Sequence, residues 1–148
     1  MAAARKEIAQ AGLAARIGTQ TGDFLTDDLG RGYDVDLLGN IIHGQKPPAI
    51  VDLLRRLRAA LNEGATLLIV DQVRMRQPFT RFAGYTAQMI GLILLNELGG
   101  GIYPYTQVRA WLHETGYRDV SVRRLLRAPG NVLIQAVANS PGRAPEPR

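Results

Sequence analysis

The sequence predicts an α/β fold: a mostly parallel sheet that ends in an antiparallel hairpin. Tyr33 to Gly39 and Ala65 to Asp71 are short apolar segments with polar ends, and an amphipathic helix lies between them. A strand, helix, strand order with a short link at each end is the right-handed crossover that joins parallel neighbours. The last part of the chain reads differently. Asp119 to Leu126 and Asn131 to Ala138 are two strands joined at Ala128-Pro129-Gly130, which makes them an antiparallel hairpin.

The elements follow in order. Ala2 to Ala11 carries strong helix formers, with Ala4, Ile8 and Ala11 on one face and Gly12 where helices end. Ile17 to Phe24 alternates weakly and is expected to be a strand closing on Gly22-Asp23-Phe24, and Leu25 to Gly32, rich in Asp and Gly, is a loop. After His43, Pro47-Pro48 opens a helix at the position where a missing N–H would be unpaired anyway. Ile50, Leu53, Leu54, Leu57 and Leu61 keep helical spacing, Arg55, Arg56 and Arg58 are expected to face water, and Asn62-Glu63-Gly64 stops the helix. Phe79 to Leu98 reads helical again. Its bulky stripe of Phe82, Tyr85, Met89, Leu92 and Leu95 is either core or the lining of a pocket. Gly99-Gly100-Gly101 breaks this helix, Thr106 can cap the next, Val108, Trp111 and Leu112 form its face, and Gly116 closes it. Residues 1–138 read as one domain and Asn139 to Arg148, rich in proline, as a flexible tail.

Composition narrows the chemistry. At 148 residues the chain holds one domain at most. It has no cysteine, which excludes disulfides, thiolate nucleophiles and cysteine metal sites, and with only two histidines no zinc site is proposed. The N-terminus has no signal-peptide core, and the apolar run from Met89 to Leu95 is too short to span a bilayer, so a soluble, cytoplasmic protein without membrane contact is expected. The formal net charge is +5, but the arginines are spread and no aromatic residues interleave with them, so nucleic acid is not expected as a partner.

In an open α/β sheet, ligands sit beyond the carboxyl ends of the strands. Two strand ends point the same way here, one running through Gly39 and Asn40 to His43 and the other ending on Asp71. On residue type alone, His43 is either a base or a solvent-facing loop histidine. Asp23 and Phe24 are either a ligand-binding pair or a turn-capping Asp beside a core Phe. His113, beside Glu114, is most simply a surface residue.

Gly22-Asp23-Phe24, then Tyr33-Asp34-Val35 through Asn40-Ile41-Ile42-His43, then Leu67-Leu68-Ile69-Val70-Asp71, then Tyr105 to Tyr117, resembles the S-adenosylmethionine-dependent O-methyltransferases of the plant caffeate and bacterial polyketide-tailoring type. The resemblance covers roughly residues 4 to 138. It implies a Rossmann-like methyltransferase sheet lacking its first two strands. It also implies S-adenosylmethionine as cofactor and methyl transfer to a hydroxyl of a small aromatic or polyketide-like acceptor in secondary metabolism. Asp23 and Phe24 match the pair that holds the adenine, the acid accepting from the exocyclic amine and the ring covering the base. Gly39 falls where the family has a residue close to the cofactor, so only backbone contact is open to it. His43 matches the general base.

The sequence departs from the family pattern in three places. Gly44-Gln45 stands where an Asp-Trp pair usually follows the histidine. Asp71 or Gln72 is the candidate for one of the acids flanking it, and Gly101-Ile102-Tyr103 offers none for the other. The family's Gly-rich loop, its ribose-binding acid and its N-terminal helical domain have no match in this sequence. The methyltransferase reading is therefore of a truncated or split product, and the alternative is a non-catalytic remnant or interaction subunit that keeps the back half of the fold and meets a protein partner or a second copy through an exposed sheet edge.

Overall fold

The computed structural model describes residues 2–75, 100–125, 127–128 and 130–140. Its elements are α1 (Ala2–Gln10), β1 (Tyr33–Gly39), a one-turn 3-10 helix (Ile42–Gly44), α2 (Pro47–Ala60), β2 (Leu61–Gln72), α3 (Tyr105–Glu114), β3 (Tyr117–Arg124) and β4 (Asn131–Ala138). The sheet order is β1-β2-β4-β3, with β1 and β2 parallel and the β2–β4 and β4–β3 ladders antiparallel. The helix read over Phe79 to Leu98, with its bulky stripe, lies outside the described residues. Among the described residues no helix is long and apolar enough to cross a membrane.

The crossover from β1 through α2 to β2 forms for the reasons visible in the sequence. Pro47 and Pro48 occupy the first turn of α2, and Ile50, Leu53, Leu54 and Leu57 are buried along one stripe. Along β2 the alternate residues Ala65, Leu67, Ile69 and Asp71 are buried, so the row that faces the core ends in a carboxylate. Val108, Trp111 and Leu112 of α3 and Val132, Ile134, Ala136 and Ala138 of β4 belong to the same core cluster. Leu37 pairs with Leu68, Leu38 with Ile69 and Gly39 with Val70, so β1 and β2 end side by side at their carboxyl ends.

Several sequence expectations are corrected. Ile17 to Phe24 forms no strand. Here the side chains compete for the backbone: Asp23 N–H donates to Asp27 Oδ2 at 2.8 Å and Leu25 N–H to Asp23 Oδ1 at 2.9 Å, which closes a turn instead. Asn62 to Gly64 does not end α2 before a separate strand but already belongs to β2. Tyr33 pairs with Leu61 and Val35 with Thr66, so β2 carries extra residues in a bulge, and Gly64 takes up the bend at φ +75°. Arg58 does not face water. Its stem packs over Gly116, where a side chain would meet Arg58 Cγ at 3.5 Å, and its guanidinium donates to the Leu61 carbonyl at 2.9 Å at the end of α2.

At α3 Thr106 is already inside the helix; the residue before it is Pro104, which makes no side-chain cap bond, and the first helical N–H, that of Tyr105, donates to the Arg74 carbonyl at 3.0 Å. His113 is half-buried at the end of α3, its ring between Arg109 Nε at 3.3 Å and the Tyr117 carbonyl at 3.2 Å. Gly116, at φ +93°, turns the chain straight into β3, which therefore begins at Tyr117 and not at Asp119.

Beneath α2, Asp36 of β1 shares a partly dry environment with Tyr117 and Arg58. The Tyr117 hydroxyl donates to the Leu54 carbonyl at 3.3 Å, and its phenol is pushed up by burial first and by the Asp36 charge second, against a lowering from Arg58. Asp36 Oδ2 is buried with no hydrogen-bond partner among the described residues, and burial holds the carboxyl above its ordinary 3.8. A raised carboxyl contributes stability that is full below its unfolded value and lost as pH rises through its folded one. Urea unfolding of the wild type should therefore show this loss as pH rises from about 4, and Asp36→Asn should remove that part of the slope. An unchanged slope in the variant would show that the Asp36 carboxyl is not held in this way.

Candidate active site

β1 ends at Gly39. Asn40, at φ +54°, takes a conformation that Asn tolerates better than most residues, while its N–H still reaches the Val70 carbonyl at 2.9 Å. The chain then bends into the 3-10 turn, which drops Ile42 into the core and leaves the His43 ring at the carboxyl edge of the sheet. β2 brings Asp71 to the same place from below.

Asp71 is 0 % exposed and fully engaged. Its Oδ2 accepts from Ile42 N–H at 2.8 Å, and its Oδ1 accepts from Gln72 N–H at 2.7 Å and faces His43 Nδ1 at 2.5 Å. An ionised carboxylate can only accept, so the proton of this pair belongs on Nδ1 and Nε2 is left as the basic nitrogen. The His43 side chain is 15 % exposed, enough for one edge of the ring to meet a ligand. Of the two candidate flanking residues, the structure selects Asp71. Strand alternation puts Gln72 on the opposite face, a signal already present in the row Ala65, Leu67, Ile69, Asp71.

Of the other expected site residues, Gly39 lies at the same edge and Asp23 and Phe24 lie on a separate turn. Gly39 is the last residue of the edge strand, exposed, and a Cβ there would meet nothing within 4 Å. Backbone approach by a ligand is open at this point. Asp23 caps the turn described above, with Oδ2 outside the turn's hydrogen bonds, and Phe24 is 39 % exposed rather than core. Arg56 ties this turn to α2, its guanidinium donating to the Phe24 carbonyl at 2.9 Å and to the Asp27 carbonyl. Arg56 stands nine residues after Pro47 on α2, the helix that follows the His43 turn. The structure brings Gly39, His43 and Asp71 to one edge and leaves Asp23 and Phe24 apart from them.

Tyr103 was not singled out from the sequence as a site residue. Its hydroxyl donates to the Gln45 carbonyl at 2.7 Å, and burial raises its phenol. No sequence signal pointed to it, because it lies in the loop before α3 and its partner is a backbone atom.

The fold is that of S-adenosylmethionine-dependent methyltransferases. Mitomycin 7-O-methyltransferase superposes with a TM-score of 0.77 at 25% identity, over 91% of this chain and 38% of its own. Human N-acetylserotonin methyltransferase, in a structure with S-adenosylmethionine, gives 0.69 at 22% identity over 82% of this chain and 33% of its own. The profile of the O-methyltransferase domain matches residues 1–118, and the chain belongs to that family. An O-methyltransferase of Streptomyces lavendulae is 34% identical over 128 residues, which are 84% of this chain and 37% of the relative. The O-demethylpuromycin-O-methyltransferase of Streptomyces alboniger is 33% identical over 113 residues, 76% of this chain and 30% of the relative. The chain thus spans well under half the length of the relatives it matches.

Removing the Asp71 carboxylate strands the buried Ile42 N–H and releases the His43 ring. Asp71→Ala should lower stability by about 1–3 kcal/mol in urea denaturation, the cost of leaving a buried donor unpaired. A loss below about 0.5 kcal/mol, the level of an ordinary surface change, would show that the carboxylate does not hold the turn.

Proposed function

We propose that residues 1–138 are the C-terminal part of the catalytic domain of a cytoplasmic, S-adenosylmethionine-dependent O-methyltransferase. The acceptor is a hydroxyl on a small aromatic or polyketide-like molecule. The observation that carries this reading is the His43–Asp71 pair at the carboxyl end of the parallel strands. S-adenosylmethionine, when bound, supplies a methyl group already activated on a sulfonium. The chain's own residues do the rest. Gly39 offers its backbone to the cofactor, and Asp23 and Phe24 hold the adenine. His43 Nε2 takes the acceptor's proton, and Asp71 keeps the imidazole oriented and balances its charge as that proton arrives.

The acceptor class draws support from relatives. They include a 3-hydroxy-5-methyl-1-naphthoate 3-O-methyltransferase of Streptomyces sahachiroi and a mitomycin biosynthesis 6-O-methyltransferase of Streptomyces lavendulae. Others carry different atoms in their names, an N,N-dimethyltransferase and an L-tyrosine C(3)-methyltransferase. The buried partner of His43 favours oxygen. A neutral amine already has a lone pair to attack with, whereas a hydroxyl must lose a proton and so benefits from a positioned base.

A second reading rests on a different observation. On β1, Val35 is 59 % and Leu37 63 % exposed, and among the described residues β1 pairs with β2 alone, which leaves its other edge unpaired there. An open apolar edge accepts a strand from a partner polypeptide or from a second copy, and the chain would then be an interaction subunit without its own turnover.

Calorimetric titration with S-adenosylmethionine separates the two. The first reading expects saturable one-to-one binding, weakened about tenfold or more by Asp23→Ala through loss of a charged hydrogen bond. It expects His43→Gln to keep that binding while methyl transfer to a phenolic acceptor falls about 10²- to 10⁴-fold. A folded chain that binds no cofactor would sink the first reading in favour of the second.

A further inference from the structure

A single helical turn cannot satisfy its own last carbonyls. In the 42–44 turn, Ile41 O and Ile42 O accept from Gly44 and Gln45, but the carbonyls of His43 and Gln45 find no partner inside the turn. Both are taken by one short segment from the other end of the chain. Gly101 N–H donates to His43 O at 2.8 Å, and the Tyr103 hydroxyl donates to Gln45 O at 2.7 Å.

The approach is too close for any side chain at position 100. A Cβ on Gly100 would collide with the His43 carbonyl oxygen and lie 2.8 Å from the Gly44 carbonyl carbon and 2.9 Å from Gln45 N. All three are backbone atoms, so none can rotate away. One residue on, a Cβ at Gly101 would meet nothing within 4 Å. Neither glycine has a positive φ, so the requirement at position 100 is one of space and not of conformation.

The segment is itself anchored. Tyr103 accepts from Arg74 N–H at 2.8 Å, and its ring meets Trp111 edge-on, with centroids 5.0 Å apart at 73°. Arg74 follows Asp71 by three residues on the continuation of β2. The strand that carries the carboxylate therefore also fixes the segment that holds the other side of the histidine turn.

We infer that Gly100, Gly101 and Tyr103 form a backbone clamp that sets the position of His43 against Asp71, with Gly100 required for lack of a side chain. They are positioning residues, acting through the turn and touching no reacting atom. This deepens the reading of His43 as a base, but its readout does not depend on turnover.

The test is ¹⁵N and proton NMR of the full chain with labelled imidazoles. There are two histidines, so a His43→Gln sample assigns the signals. The wild type should show a far-downfield, slowly exchanging Nδ1–H proton from the short His43–Asp71 contact. Gly101→Ala should keep it. Gly100→Ala should lose it while far-UV circular dichroism and a cooperative urea transition persist. Tyr103→Phe should make that proton exchange about fivefold faster, the effect of removing one hydrogen bond from the turn.

A folded Gly100→Ala that keeps the proton, or a Gly101→Ala that loses it, would overturn the clamp. Should Gly100→Ala fail to fold, unchanged exchange in Tyr103→Phe overturns it. Absence of the proton in the wild type would overturn both the clamp and the role of His43. An intact proton without methyl transfer would sink the proposed reaction and leave the clamp standing.

Discussion

A fully buried carboxylate has to be matched by donors, and Asp71 decides how this chain is put together. Its partners are Ile42 N–H, Gln72 N–H and the His43 ring, so two of the three come from the turn after β1. Those donors reach it only when Gly39 lies beside Val70 in the parallel ladder. A slip of one residue along β2 would turn Asp71 to the opposite face and bring Gln72 into the core. The sheet register and the chemistry of the site are therefore one constraint. Whatever stabilises the β1–β2 pairing also holds the imidazole in place.

The same strand pair explains the asymmetry of the domain. α2 and α3 cover the face that carries Leu67, Ile69 and Ile134, and the core cluster lies on that side. β1 contributes Leu38 to it while Tyr33, Val35 and Leu37 project the other way and are exposed. Natural edge strands are usually blunted by charge or proline or covered by another element, and among the described residues β1 carries none of these devices on this face. Asp36 brings charge to the helix-facing side of the same strand, where burial raises its carboxyl without protecting the edge.

Where one local signal acted alone, the sequence was enough. The double proline opens α2 and the leucine spacing sets its buried face, and an apolar run closed by Gly-Asn delimits β1. Legibility failed where a distant partner decides. Asn62 to Gly64 reads as a helix stop, but pairing with β1 draws it into β2 as a bulge. Arg58 sits on what reads as a polar face, but Gly116 leaves a groove for its stem and Leu61 a carbonyl for its head. Ile17 to Phe24 has a weak strand pattern, and the aspartates at 23 and 27 outcompete it locally. Beyond β1 the sequence marked out His43 and left Asp71 and Gln72 open as its neighbour, and the buried row of β2 decides for the contact with Asp71. Gly100 was not legible, because a glycine in a run of glycines looks like a linker until the backbone it touches is known.

Under the proposed reaction, the placement of Asp71 has an energetic consequence beyond orientation. As the acceptor hydroxyl loses its proton, His43 passes from neutral to cationic beside a carboxylate that no water reaches. Attraction between opposite charges grows as the local dielectric falls. Burying the carboxylate is a cost met when the chain folds, by the Ile42 and Gln72 N–H groups, before any acceptor arrives. The dipoles that balance the charge are then already in place at the moment of transfer, and no solvent has to reorganise around them. The donors to Asp71 are backbone groups of a clamped turn and of a central strand, neither of which can turn away as a mobile side chain could.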